Sequence, residues 1–249
     1  MSRHLCVCAS ISVSAEIIKK KRKLTSTGWS ISTGPGRSEI DSVDSLKGGK
    51  IGVSRIGSGS YVMGYVLAEE RSWLVPTAGV GTSAEQASPY EDIVVLNTFE
   101  NLRNAVRSRE ADFFMWEYFT SKRYYDSGEI RKVGEIYTPW SSWKIVASTG
   151  LIQGDDNKLD PRIDDLLDKL NLGIKHFNEN KEEAVQYIST ALDYTEEDAR
   201  EWLQTVRFPD QTQGVDPKVI TNTAEILGTA GVLPVGSGVD TSIMIAKRR

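Results

Sequence analysis

At 249 residues, with 39% hydrophobic and 26% charged residues and a formal net charge of −4, the chain has an ordinary globular composition. Collagen, coiled coil and wholesale disorder are excluded on that composition, and no apolar run approaches the roughly 20 residues of a membrane-spanning helix. The two cysteines, Cys6 and Cys8, are too few and too close together to staple a fold or complete a four-ligand zinc site.

Taken in chain order, residues 1–27 differ from the rest. They hold six basic residues (Arg3, Lys19, Lys20, Lys21, Arg22 and Lys23) and one acid, Glu16, a net of +5, so the remaining 222 residues carry −9. An acidic body argues against nucleic acid as a partner, because phosphate binding needs a basic surface. Leu5 to Ala15 is a weak apolar stretch broken by Ser10, Ser12 and Ser14, a poor secretory signal. Lys19 to Lys23 fits a nuclear localisation patch. The favoured expectation is a solvated, disordered arm on a cytoplasmic protein, with secretion as the alternative.

Lys50-Ile51-Gly52-Val53 predicts a short buried strand, followed by a Gly57-Ser58-Gly59-Ser60 turn and a helix from Tyr61 that is apolar on most faces. Residues 75–92 show no periodicity and predict a surface insertion. A second strand, Ile93 to Leu96, leads to Thr98 as N-cap and an amphipathic helix with Phe99, Leu102 and Val106 in one stripe. Asp112 to Met115 is a third strand, followed by Trp116-Glu117 and a short helix, and Ile130–Tyr137 and Trp143–Ala147 read as two more strands. This alternation implies an α/β fold with a mostly parallel sheet. The last hundred residues are helical. Asp160-Pro161 starts a helix with Ile163, Leu166, Leu167, Leu170, Ile174 and Phe177 on its stripe, and Asn180 with Glu183 reads as a capping box for the next. Thr195 opens a third helix carrying Ala199, Trp202 and Leu203, and Asp216-Pro217 a fourth that stops at Gly231.

Ligand chemistry concentrates in two places. In Ser54-Arg55-Ile56-Gly57-Ser58-Gly59-Ser60, glycines allow a sharp turn into a helix start whose N–H groups lack intrahelical partners. The Ser58 and Ser60 hydroxyls and Arg55 add donors and charge, which suits a carboxylate, sulfonate or phosphate. A plain strand-to-helix turn explains the same residues equally well. The spacing matches neither a Walker A loop nor the dinucleotide fingerprint. Trp116-Glu117 lies where open α/β sheets bind ligands, and Trp140 stands in a prolyl loop, an aromatic wall for a small-molecule cleft. Trp143 is assigned to the core. Catalytic groups are scarce: His4 lies in the arm, His176 on a helix surface, and no nucleophile accompanies either. No metal-ligand spacing and no cofactor motif appears.

Asp44-Ser45-Leu46-Lys47-Gly48-Gly49-Lys50-Ile51-Gly52-Val53 with Gly57-Ser58-Gly59-Ser60 resembles the opening of the second lobe of type 2 periplasmic binding proteins. Asn97 to Leu102, Ala111 to Glu117 and Gly134 to Trp140 resemble a fungal branch similar to sulfonate- and taurine-binding proteins and to the thiamine-pyrimidine synthase group. The resemblance implies two α/β lobes clamping a small ligand. Lobe two would span 49–145; lobe one would be built from 28–48 and 146–235, with a tail at 236–249. It places Gly57 to Ser60, Trp116 and Trp140 on the ligand side of lobe two, and Ser32, Thr33 and Gly34 at the end of a strand crossing near the cleft.

The opening strand–helix units of lobe one have no counterpart before Trp29. An incomplete gene model or isoform, or a partner that supplies the missing half, would explain this, and an open half-lobe favours self-association. The synthase group uses a cysteine-rich segment, a histidine and a pyridoxal-bearing lysine, a pattern that Cys6 and Cys8 do not reproduce. The expectation is a non-catalytic protein binding an anionic or heteroaromatic solute without a cofactor, a membrane span or a nucleic-acid partner. A thiamine-pyrimidine-synthase-like enzyme and a truncated product without ligand function are the alternatives.

Overall fold

In the computed structural model the described residues are 28–74, 88–140, 144–153, 158–192, 194–212, 214–229, 233, 240 and 244–246. The basic arm with its two cysteines, most of the 75–92 insertion, Trp143 and the helix stop at Gly231 lie outside them. Contacts divide the chain after Thr138.

The first unit is built on one sheet. Its strands are β1 (Gly28–Thr33), β2 (Lys50–Val53), β3 (Asp92–Val95), β4 (Phe113–Glu117) and β5 (Arg131–Tyr137), in the order β3-β2-β4-β1-β5. Three helices connect them: α1 (Gly59–Glu70), α2 (Phe99–Ser108) and α3 (Tyr118–Asp126). β2 pairs in parallel with β3 and β4, whereas β1 runs antiparallel to both β4 and β5. The predicted mostly parallel sheet is therefore a mixed one, with a single reversed strand inside it.

That reversed strand corrects the expected boundary. The segment 28–48, expected in the other lobe, belongs to this unit, and β1 sits inside its sheet. The reason is visible in its side chains. Ile31 is fully buried, and Ser30, Ser32 and Thr33 are buried with it, their hydroxyls satisfied by partners far away in sequence. Ser30 Oγ donates to the Trp116 carbonyl (3.1 Å), Ser32 Oγ shares a hydrogen bond with Tyr125 Oη (2.6 Å), and Thr33 Oγ1 donates to the Asp112 carbonyl (2.7 Å). Buried hydroxyls need such partners, and no local pattern announces them.

Strand alternation splits the core. Phe114 faces α2 and α3 in a cluster with Leu96, Leu102, Ala105, Val106, Ala111 and Ile130. Phe113 packs edge-on against Tyr90 (5.6 Å between ring centroids). Tyr90 in turn donates to the Gly64 carbonyl of α1 (2.5 Å). As predicted, α1 is buried on most faces, and α2 starts at Thr98, whose Oγ1 accepts the Asn101 N–H at 3.1 Å. At the amino edge of β4, Arg37 Nη2 bonds Asp112 Oδ1 (2.6 Å) while Asp112 Oδ2 accepts the Lys50 N–H (2.7 Å). This latch ties the 34–43 loop to two strands.

The second unit is helical: α4 (Pro161–Glu179), α5 (Lys181–Ala191), α6 (Glu196–Thr205) and the start of α7 (Pro217–Thr229), with a two-residue hairpin of β6 (Ile152–Gln153) and β7 (Lys158–Leu159). The strand expected over Trp143–Ala147 does not form: residues 144–148 make no ladder. Asp160 caps α4 as expected, accepting the Arg162 N–H at 2.9 Å. On the α4 stripe Leu167 is buried, while Leu166 is 47% and Leu170 37% exposed. The capping box at α5 is also absent. Asn180 Nδ2 donates back to the His176 carbonyl (2.8 Å) and Glu183 pairs with the His176 ring (3.0 Å), so α4 and α5 are joined through His176 instead. The α5–α6 pair closes over Val185, Ile188 and Ala199, with Trp202 and Leu203 against them as the stripe predicted.

Candidate functional site

The parallel strands end on one edge of the sheet, and three helices begin there. β2 runs into the Ser54–Ser58 turn and α1, β3 into Asn97-Thr98 and α2, and β4 into Glu117 and α3. Because β1 is reversed, its first residues, Gly28 and Trp29, lie on the same edge, with Trp29 directly opposite Glu117.

The α1 turn has the expected shape but uses its hydroxyls differently. Gly57 takes φ +75°, a left-handed conformation that favours glycine. Ser58 caps α1, its Oγ accepting the Tyr61 N–H (3.3 Å), and Ser60 Oγ accepts the Ser54 N–H (3.1 Å). The two hydroxyls also bond each other at 2.9 Å, and both serines are buried. The donors expected to reach a ligand are thus turned into the fold. Arg55, Ile56, Gly57 and Gly59 are what the turn exposes, with Ile56 62% exposed. Helix starts carry partial positive charge. α2 meets it with Glu100 in its first turn and α3 with the Glu117 carboxylate, which accepts from Thr120 N–H and Oγ1 at 2.8 and 2.9 Å. α1 alone of the three has neither an acid in its first turn nor an acidic cap.

Aromatic rings surround this start. A Cβ on Gly59 would lie 2.7 Å from the Trp29 ring, so glycine there lets the indole rest on the first turn of α1. Trp29 meets Trp116 edge-on at 6.5 Å, and Trp116 stacks on Phe99 at 5.0 Å and 18°. Arg103 packs over Tyr124 (3.7 Å) and Phe99 (4.8 Å) and pairs with Glu129 (2.9 Å), fixing the far side of the cluster. The Trp29 indole N–H is shielded from solvent and has no hydrogen-bond partner among the described residues. Such a donor costs about 1–3 kcal/mol when left unpaired.

The structure therefore brings together Arg55, Gly57, Ser58, Gly59, Ser60, Trp116 and Glu117 from the sequence-predicted set. It does not bring Ser32 and Thr33 to them. They end the reversed strand at the opposite edge, where their hydroxyls are bonded inside the core. Trp140, half-buried after Pro139, belongs to the other unit. Trp29, Phe99 and Asn97 were missed. Asn97 adopts φ +64°, which asparagine tolerates, and its N–H donates to the Ser54 carbonyl (3.0 Å), tying the α1 and α2 turns together. Trp29 could have been found only by pairing β1 with β4, across more than eighty residues.

Two comparisons decide the family. A profile described as Ca3427-like PBP matches residues 29–136. The solved structure of the Candida albicans CA3427 gene product, which defines a family with the generic periplasmic binding protein structural fold, is 36% identical. It covers 96% of this chain and 69% of its own, with a TM-score of 0.73. The chain belongs to the Ca3427-like family. Its α/β architecture is thus the periplasmic-binding-protein fold. Fold-level likeness extends to the Escherichia coli aliphatic sulphonate binding protein SsuA (13% identity, TM-score 0.57, covering 98% of this chain and 70% of that one). The alkanesulfonate-binding SsuA of Xanthomonas axonopodis pv. citri, bound to MOPS, is similar in the same sense (15%, TM-score 0.58, 98% and 74%). No curated protein sequence matches the chain. Among the described residues no helix is long and apolar enough to cross a membrane, and no cluster of His, Cys, Asp and Glu could hold a metal ion.

Proposed function

We propose that this Ca3427-like protein binds a small anionic or heteroaromatic solute at the carboxyl edge of its sheet and releases it unchanged. The observation that carries the proposal is the α1 start. It is a helix N-terminus without an acid, exposed through Gly57 and Gly59, beside Arg55 and a tryptophan pair. Backbone N–H groups and the helix dipole favour an anion there, and indole faces favour a flat or aliphatic body. The sulfonate-binding relatives of the same fold are consistent with a sulfonate head group. The purified chain, titrated with propane-1-sulfonate and with aminopyrimidines while tryptophan emission is followed, is expected to respond saturably to at least one. Mass analysis after incubation should recover that ligand intact. A folded protein that responds to none refutes binding, and a chemically altered ligand refutes the non-catalytic role.

A further inference from the structure

We infer that the exposed face of α4 is a docking surface for the chain's own N-terminal arm, residues 5–23. α4 leaves Leu166, Leu170 and Leu172 47%, 37% and 69% exposed. Leu166 and Leu170 are one turn apart and share a face. A Cβ placed on Gly173, three residues beyond Leu170, would meet nothing within 4 Å, so the helix surface is open there as well. Leu172 lies four residues after Asp168 and seven after Asp165, which puts both acids on its side of the helix. Apolar surface rimmed by charge marks a contact face.

The arm's sequence complements that face in both respects. Every odd-numbered residue from Leu5 to Ile17 is apolar, and the even-numbered ones from Cys6 to Glu16 are cysteine, serine or glutamate. In an extended chain such alternation puts all the apolar side chains on one side, which then needs cover of its own. The basic run Lys19 to Lys23 follows directly. Helices α4, α5 and α6 together hold ten acids and five bases, a net of −5, and residues 1–27 carry +5. Charge also selects the arm over a second copy of the chain, whose own α4 to α6 would bring the same negative surface against this one. Leucines and acids on α4 thus meet an apolar edge and a basic run on the arm, and docking covers both apolar surfaces at once.

The test is limited trypsin digestion of the full chain, with cleavage within Lys19 to Lys23 followed by mass analysis of the released N-terminal fragment. A synthetic peptide of residues 1–27 sets the rate for an undocked arm. At low salt the arm of the full chain is expected to be cut at least about tenfold more slowly than the peptide, because cleavage tracks the population of the open form. Raising the salt to about 0.5 M should speed cleavage of the full chain at least about threefold, relative to the peptide in the same buffer, by screening the charge contact. Leu166→Ser combined with Leu170→Ser should speed it about fivefold or more at low salt, with the helical circular dichroism retained. Cleavage of the full chain as fast as the peptide overturns the inference. Protection untouched by the double substitution overturns the assignment to α4. Protection that is lost on dilution shows a second copy covering the face and overturns the assignment to the arm. If the double variant does not fold, Asp168→Lys replaces it: faster cleavage supports the docking, and an unchanged rate overturns it.

Discussion

Replacing Asp112 by Asn tests whether the latch at the amino edge of the sheet holds that unit together. The Arg37–Asp112 pair is 2.6 Å long, with side chains 10% and 25% exposed. Asp112→Asn leaves the guanidinium buried with only Glu39, itself half-exposed, as counter-charge. Among the described residues Arg37 Nη1 already lacks a hydrogen-bond partner, so none of them offers it a spare acceptor. Removing one member of a buried pair costs about 3–5 kcal/mol. The solvent contact of Asp112 and the surviving Glu39 contact reduce the expectation to about 2 kcal/mol. The pH dependence fixes the sign. Burial opposes the Asp112 charge, but Arg37 and the Lys50 N–H outweigh it and hold the carboxyl below its ordinary value. A carboxylate depressed in the folded state stabilises above its unfolded pKa of about 3.9, and the contribution is lost as pH falls through the lower folded value. Urea unfolding followed by tryptophan emission reads the sheet unit through Trp29, Trp73 and Trp116. The gap between wild type and variant should be full near neutral pH and shrink below about pH 4. An unchanged urea midpoint at neutral pH, or a gap of constant size down to acid pH, refutes the reasoning.

Other outcomes follow from the packing. Gly34→Ala would put a Cβ 2.3 Å from the Val106 carbonyl oxygen, a backbone atom of α2 that cannot swing aside. It should cost about 3 kcal/mol, and an unchanged melting temperature would show that the loop relaxes freely. Gly59→Ala meets the half-exposed Trp29 ring instead; it should cost at most about 1 kcal/mol but shift tryptophan emission and weaken propane-1-sulfonate binding, and unaltered titrations would separate Trp29 from the site. On α4, Leu167→Ala should cost about 2–3 kcal/mol, whereas Leu166→Ala, at a position 47% exposed, should cost under about 0.5 kcal/mol; thermal melts showing equal losses would contradict the packing of that helix.

Much of the sheet unit was legible because its signals are local. β2, β3 and β4 are short apolar runs, and the helix starts follow Ser58 and Thr98, whose capping oxygens act within three residues of themselves. The edge at which the strands end followed from the same alternation, and with it the α1 turn, Trp116 and Glu117. The direction of the serines was not legible, because a serine hydroxyl beside a helix start can bond the local backbone as readily as it can face outward. The role of Asn180 was misread for a similar reason: the Asn-to-Glu spacing fits a capping box, but His176, one turn earlier, offers both residues a partner.

The sequence by itself determined the family, the α/β class and the strand-to-helix turn at Gly57, since each depends on residue types close together in the chain. Only the tertiary structure decided where β1 belongs. Its pairing with β4 and β5 depends on hydrogen bonds between strands that are distant in sequence. That one placement moved Ser32 and Thr33 to the far edge and brought Trp29 to the near one. It laid the Trp29 indole on the first turn of α1, a juxtaposition that no spacing along the chain encodes.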